Sequence, residues 1–247
     1  KTNDAQELVQ ELEQKNIDMI VIDHYEIDYS FEKQLKIKNP TLRIMALDDT
    51  YEKHDCDILL NHNVGADKKR YKRLVPKSCE LRCGSKYALL RDEFYKEKKR
   101  KMANAKNKTL FVAMGGADHS NANIEILKVL ETFDHLKVNL ATTTANANLQ
   151  ELKDYVKNKQ WINLRVNSNK IAKLIRKSAF AIITPSVTLN EVYFLGTPFI
   201  AIKTAKNQKD AYKYLKKRKF LVLDKFKDKK FKKRVALLLK KDDKNVR

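Results

Sequence analysis

Residues 181–208 read Ala181-Ile-Ile-Thr-Pro-Ser-Val-Thr-Leu-Asn-Glu-Val-Tyr-Phe-Leu-Gly-Thr-Pro-Phe-Ile-Ala-Ile-Lys-Thr-Ala-Lys-Asn-Gln208, and their order decides the fold. The apolar run from Ala179 to Ile183 predicts a buried strand that stops at a Thr-Pro-Ser turn. A short helix from about Val187 to Leu195 follows, with Gly196 and Pro198 placed where a helix C-terminus expects them. Phe199 to Ile202 predicts a second buried strand, leading into a polar loop with Lys206, Asn207 and Gln208. In open parallel α/β sheets, ligands bind outside the carboxyl ends of the strands. The clusters Thr184 to Glu191 and Lys203 to Gln208 stand at such ends and form the first candidate site.

The same rhythm extends on both sides. Thr109 to Met114 predicts a strand opening on Gly115-Gly-Ala-Asp118, and Ile124, Leu127, Leu130 and Phe133 mark one face of a helix. Strands are predicted at Leu136 to Ala141, Trp161 to Val166 and Phe220 to Leu223, with helices between them. Strands alternating with helices predict a complete Rossmann-like domain over residues 109–223. Further upstream, Ile17 to Ile22, Leu42 to Leu47 and Asp57 to Leu60 are strand-like and end in Asp23-His24-Tyr25, Asp48-Asp49 and Asn61-His62-Asn63. Residues 1–95 are therefore expected to form an N-terminal Rossmann-like domain, and the Lys-rich residues 96–108 a basic linker. Two such sheets suggest a ligand held in the cleft between them. Residues 224–247 place Phe231, Val235, Leu238 and Leu239 on one face of a basic amphipathic helix. Packing against its own protein is preferred over lying on a membrane. The chain starts Lys1-Thr-Asn-Asp with a helix under way by Ala5, and it is read as beginning after its true start, without its first strand and loop.

Composition narrows the function. The 247 residues carry a formal net charge of +21, concentrated in residues 68–108 and 203–247, which favours anionic partners. The excess is mostly Lys without aromatic or Gly interleaving or a nucleic-acid module, so nucleic acid is not the expected partner. No apolar run approaches the roughly 18–20 residues of a membrane span. Cys56, Cys79 and Cys83 are an odd number and point to reduced thiols in the cytoplasm. With His54 they do not give the spacing of a common zinc module, so no metal or other cofactor is expected.

Gly115-Gly116 after a strand allows close backbone approach to a phosphate, with a helix N-terminus behind it, although a tight turn would need the same residues. The absence of GxGxxG disfavours NAD. Thr188-Leu-Asn-Glu191 fits two readings equally: a capping box in which Glu191 meets a backbone N–H, or a carboxylate for the hydroxyls of a ribose. Asp23, His24, Tyr25, Asp48 and Asp49 could serve as acid, base or hydrogen-bond partner to a sugar, but no acidic pair shows glycosidase spacing. Cys83 has no local support as a nucleophile.

Several motifs, taken in order, resemble one family: Ile22-Asp-His-Tyr25, Leu47-Asp-Asp49, Cys56-Asp-Ile-Leu-Leu-Asn61, Cys83 to Phe94 (C-G-x-x-Y-A-L-L-R-x-E-F), Met114-Gly-Gly-Ala-Asp118, Leu189-Asn-Glu191 and Lys206-Asn-Gln208. The chain is similar, over about residues 5–223, to the UDP-sugar hydrolases of pseudaminic acid biosynthesis, whose product feeds flagellin glycosylation. The resemblance implies an α/β fold of two Rossmann-like domains of the glycosyltransferase-B kind. It implies removal of UDP from a UDP-linked 2,4-diacetamido-2,4,6-trideoxyhexose by inverting water attack at the anomeric carbon, without metal. Carried over by motif, Tyr25 and Asn207 are the catalytic residues, and Gly115, Gly116, Asp118, Ser186, Leu189, Asn190 and Glu191 bind UDP. The family's general base is a His in a G-x-G-H loop on the first strand, a motif this sequence does not contain. The turn Thr184 to Thr188 also lacks the Gly that related turns often carry. A nucleotide-sugar-dependent glycosyltransferase of the same fold and a non-catalytic nucleotide- or polyanion-binding protein are the alternatives. The oligomeric state is not set by the sequence.

Overall fold

The computed structural model describes residues 5–100 and 108–240, and the chain divides into two compact units at Leu89/Leu90. In the first unit, α1 (Ala5–Gln14), β1 (Met19–Ile22), α2 (Tyr29–Lys38), β2 (Arg43–Leu47), β3 (Ile58–Asn61) and β4 (Glu80–Cys83) follow one another. The strands form a parallel sheet in the order β1-β2-β3-β4. Helix α2 starts where Asp28 accepts N–H bonds from Ser30 and Phe31, a side-chain cap that stabilises by about 1 kcal/mol. Leu35, Ile44 and Leu59 are fully buried at its core.

The second unit begins with α3 (Asp92–Lys98), which packs on α6 (Ile171–Arg176) and α7 (Val187–Leu195). The expected boundary at residue 95 thus falls inside a helix of the second unit, and most of the expected linker, residues 101–107, lies outside the described residues. The unit continues with β5 (Thr109–Ala113), α4 (Ala122–Leu130), β6 (Lys137–Thr142), α5 (Leu149–Val156), β7 (Ile162–Val166) and β8 (Phe180–Ile183). After α7 come β9 (Phe199–Ile202), α8 (Lys209–Lys217), β10 (Leu221–Leu223) and α9 (Asp228–Lys240). Its six parallel strands run β10-β9-β8-β5-β6-β7. This is the doubly wound order, and it reverses between β5 and β8, where such sheets open a crevice for a ligand. β8 and β9 are buried at every residue because helices cover both faces, which explains their unbroken apolar sequence.

Two local signals act as expected. Gly196 ends α7 at φ +74, a left-handed position that favours glycine, and its N–H bonds back to Val192 and Tyr193. Phe231 and Val235 of α9 are fully buried in the core of the second unit, with Leu238 and Leu239 packed beside them. The apolar face of the basic tail is therefore occupied by its own domain, and residues 241–247 lie outside the described part. Among the described residues, no helix is long and apolar enough to cross a membrane.

Candidate functional site

At the carboxyl ends of β5, β6 and β7, a cavity of about 170 Å³ is lined by Gly115, Gly116, Thr143, Asn167, Thr188 and Glu191, over apolar residues that include Phe111 and Ile171. The fold thus brings the Gly115-Gly116 loop after β5 together with Thr188 and Glu191 of α7, all singled out in the sequence.

Gly115 and Gly116 differ in why they are glycine. Gly115 sits at φ +87, and a Cβ there would meet no atom within 4 Å, so its requirement is conformational. At Gly116 a Cβ would stand 3.0 Å from Thr143 Cγ2 and 3.1 Å from its Oγ1, so its requirement is space. The Gly116 carbonyl is held by the hydroxyls of Thr142 and Thr143, at 3.3 and 3.0 Å, which fixes the loop beside the cavity.

Asp118 takes another role. Its carboxylate is buried and accepts the N–H groups of Ala122 and Asn123, both at 3.0 Å. Burial raises its pKa, while those two backbone bonds work in the opposite direction. Two of the first-turn donors of α4, a helix start expected to meet a phosphate, are satisfied by this internal cap, and Asp118 is not among the residues lining the cavity. Helix α7 is the contrast: Ser186 is its N-cap residue, but its side chain makes no capping bond and its Oγ lies 2.8 Å from Thr184 Oγ1. The positive end of α7 therefore has no side-chain cap.

The start of α7 also removes one of the two readings of Thr188-Leu-Asn-Glu191, the capping box. Thr188 is the second residue of α7, and Glu191 lies beyond the first turn, so a capping box between them does not form. Glu191 instead reaches the cavity with its side chain 15% exposed. Burial pushes its carboxyl up to about 7; Arg91 beside it draws the value down and Glu93 raises it. Leu189 and Asn190 on the same helix are buried and do not line the cavity. Arg91, together with Thr143, Asn167 and Ser168, was not singled out for this site; short polar residues at strand ends give no periodic signal.

On the first unit, the strand-end clusters divide between support and display. Asp48 is buried and accepts bonds from Thr50, Tyr51 and Glu52 N–H groups and from the Tyr71 hydroxyl at 2.7 Å. Burial raises its pKa, but the bonds from Thr50 and Tyr71 outweigh this and hold it below the ordinary carboxylate range. Tyr25 is 77% exposed and donates its hydroxyl to Asp49 Oδ1 at 3.0 Å, a bond that raises the Tyr25 pKa. His54 is buried, with its Nδ1 2.8 Å from Glu32 Oε1. No group of three or more His, Cys, Asp or Glu side chains that could hold a metal ion occurs among the described residues. On the second unit, Asn207 is exposed in a short turn after β9, while Gln208 accepts the N–H groups of Thr204 and Ala205 and so shapes that turn.

No family model matches the chain. The UDP-2,4-diacetamido-2,4,6-trideoxy-beta-L-altropyranose hydrolase of Campylobacter jejuni is 36% identical over 216 residues, covering 87% of this chain and 77% of that protein. The uncharacterized protein MJ1062 of Methanocaldococcus jannaschii is 27% identical over 226 residues, 88% of this chain and 47% of its own length. Among solved structures, MurG of Acinetobacter baumannii aligns with a TM-score of 0.60 at 9% identity, over 95% of this chain and 68% of that one. The spinosyn rhamnosyltransferase SpnG aligns with a TM-score of 0.61 at 11% identity, over 96% and 68%. At those identities the likeness shows the fold: two Rossmann-like domains of the glycosyltransferase-B kind.

Proposed function

Because the chain belongs to the family of the UDP-2,4-diacetamido-2,4,6-trideoxy-beta-L-altropyranose hydrolase, we propose that it acts on a UDP-linked sugar, releasing UDP and the free 2,4-diacetamido-2,4,6-trideoxyhexose. The observation that carries this reading is the cavity at the strand-order reversal, where Gly115, Gly116 and Glu191 converge. In its ionised form Glu191 can accept both ribose hydroxyl protons, the task of a carboxylate in nucleotide-binding α/β domains. The loop at Gly115-Gly116 carries no side chain to keep a diphosphate from its backbone, and the N-terminus of α7 at Ser186, without a side-chain cap, offers N–H donors and positive potential to it. Asp118, Leu189 and Asn190 then support the site by capping α4 and by packing α7.

The reaction is water attack at the anomeric carbon with inversion, expelling UDP as the leaving group. Tyr25 and Asn207, both exposed polar side chains at carboxyl ends of strands, are assigned to the sugar and the attacking water. Asp49, which accepts the hydrogen bond from the Tyr25 hydroxyl, orients that ring and favours its neutral form. The test is hydrolysis in ¹⁸O-labelled water by the full-length protein, with no acceptor added. Label in the sugar supports attack at carbon; label in a phosphate means a pyrophosphatase, and turnover that starts only when an acceptor is added means a glycosyltransferase.

A further inference from the structure

A larger cavity, of about 710 Å³, lies beside the edge strand β10, between α8 and α9. It is separate from the crevice at Gly116 and shares no lining residue with it. Five cations converge on it, Lys216, Lys219, Lys230, Lys233 and Arg234, against one carboxylate, Asp224. None of the five has a carboxylate partner among the described residues, although Lys15, Lys36, Lys128 and Lys159 elsewhere do. A concave surface lined by one sign of charge focuses the field and raises the local concentration of counter-ions. Its floor is apolar and aromatic, with Phe220 and Leu223. Volumes of roughly 300–1,000 Å³ accommodate a small organic ligand.

Lys219 adds an independent observation. It follows the end of α8 at φ +61, in the left-handed region where a helix terminus usually has Gly. A lysine there costs backbone strain that a glycine would not. Here the side chain lines the cavity.

We propose that the cavity between α8, β10 and α9 is a second anion site, built for a small molecule bearing two or three linked phosphates. The charge balance selects this class: five cations less one carboxylate leave +4 (5 − 1 = 4), which a single carboxylate or monophosphate cannot match. Lysines present point charges that tolerate varied phosphate geometry, and Arg234 can bind two oxygens at once. The site does not depend on the nucleotide reading of the other cavity.

The experiment is titration calorimetry of the full chain with inorganic tripolyphosphate in about 0.15 M salt. The expected result is saturable binding that weakens about tenfold or more in Lys216→Gln/Lys233→Gln/Arg234→Gln. It should change by less than about twofold in the charge-matched Lys213→Gln/Lys217→Gln/Lys229→Gln, whose side chains are outside the cavity lining. Lys219→Gly should raise Tm and weaken binding together, two signs that a structural role alone would not combine. Equal losses in both triple variants would reduce the site to diffuse charge and overturn the proposal. So would no binding, loss of binding in Gly116→Val alone, or binding to phosphatidic acid vesicles without binding to tripolyphosphate.

Discussion

Arg91 Nη2 lies 3.7 Å from Glu191 Oε1 and 2.8 Å from Glu93 Oε1, so one exposed guanidinium serves two carboxylates, the more enclosed of which faces the cavity at Gly116. The pair joins the start of α3 to the second turn of α7 within one unit. It works against the burial that raises the carboxyl of Glu191, the residue proposed to meet ribose.

The first prediction concerns pH. The Glu191 carboxyl is raised in the folded protein to about 7 from an ordinary 4.5, so between those values the folded state holds a proton that the unfolded state has lost. Stability therefore falls as pH rises through this window, by roughly 3 kcal/mol at most. Chemical denaturation at pH 5 and pH 8 should show Glu191→Gln losing less stability than wild type over that interval. Arg91→Gln should steepen the wild-type fall, because removing the cation raises the Glu191 pKa further. Parallel profiles for wild type and Glu191→Gln would place the titration elsewhere.

Nucleotide binding should release a proton. If ribose bonds favour ionised Glu191, UDP binding near pH 7 will expel part of its proton, and the calorimetric enthalpy will vary with the ionisation enthalpy of the buffer. In Glu191→Gln that buffer dependence should vanish and affinity should fall by about 1–3 kcal/mol. A buffer dependence unchanged in the variant would remove Glu191 from the site.

The two glycines should separate by phenotype. Gly115→Ala has space but the wrong φ, and should cost about 1–2 kcal/mol of stability with modest effect on UDP affinity. Gly116→Val crowds Thr143 at the cavity wall, and should abolish the thermal shift produced by UDP. A full UDP shift in Gly116→Val would move the diphosphate to another place.

Asp118→Ala should behave as a lost helix cap, costing about 1–2 kcal/mol, with UDP affinity in the folded variant changed less than about twofold. A large loss of affinity without loss of stability would restore Asp118 to the ligand.

Tyr25→Phe removes the hydroxyl that Asp49 accepts, and Asn207→Ala removes an exposed amide. In protein carrying the whole family sequence, each should lower kcat far more than it weakens UDP, because neither lines the nucleotide cavity. Equal losses in both quantities would put them in the nucleotide site.

The sequence by itself determined the architecture. Apolar runs at 181–183 and 199–202 bounded by Thr-Pro-Ser and Gly-Thr-Pro admit little but a strand, helix and strand, since turn chemistry and burial are local properties of residue type. It also placed Gly115, Gly116 and Glu191 as candidates, because strand ends are legible and ligands gather there. Only the tertiary structure decided which neighbouring polar residues face the cavity. Asp118 and Glu191 look equally available in the sequence, yet one caps α4 while the other, a turn beyond the start of α7, stays free of capping. That depends on where a helix begins to within one residue, and helix ends are set by packing as much as by composition. The raised carboxyl of Glu191 is likewise a product of burial, which outweighs the downward pull of Arg91, 100 residues away in the chain (191 − 91) and brought close by the packing of α3 on α7.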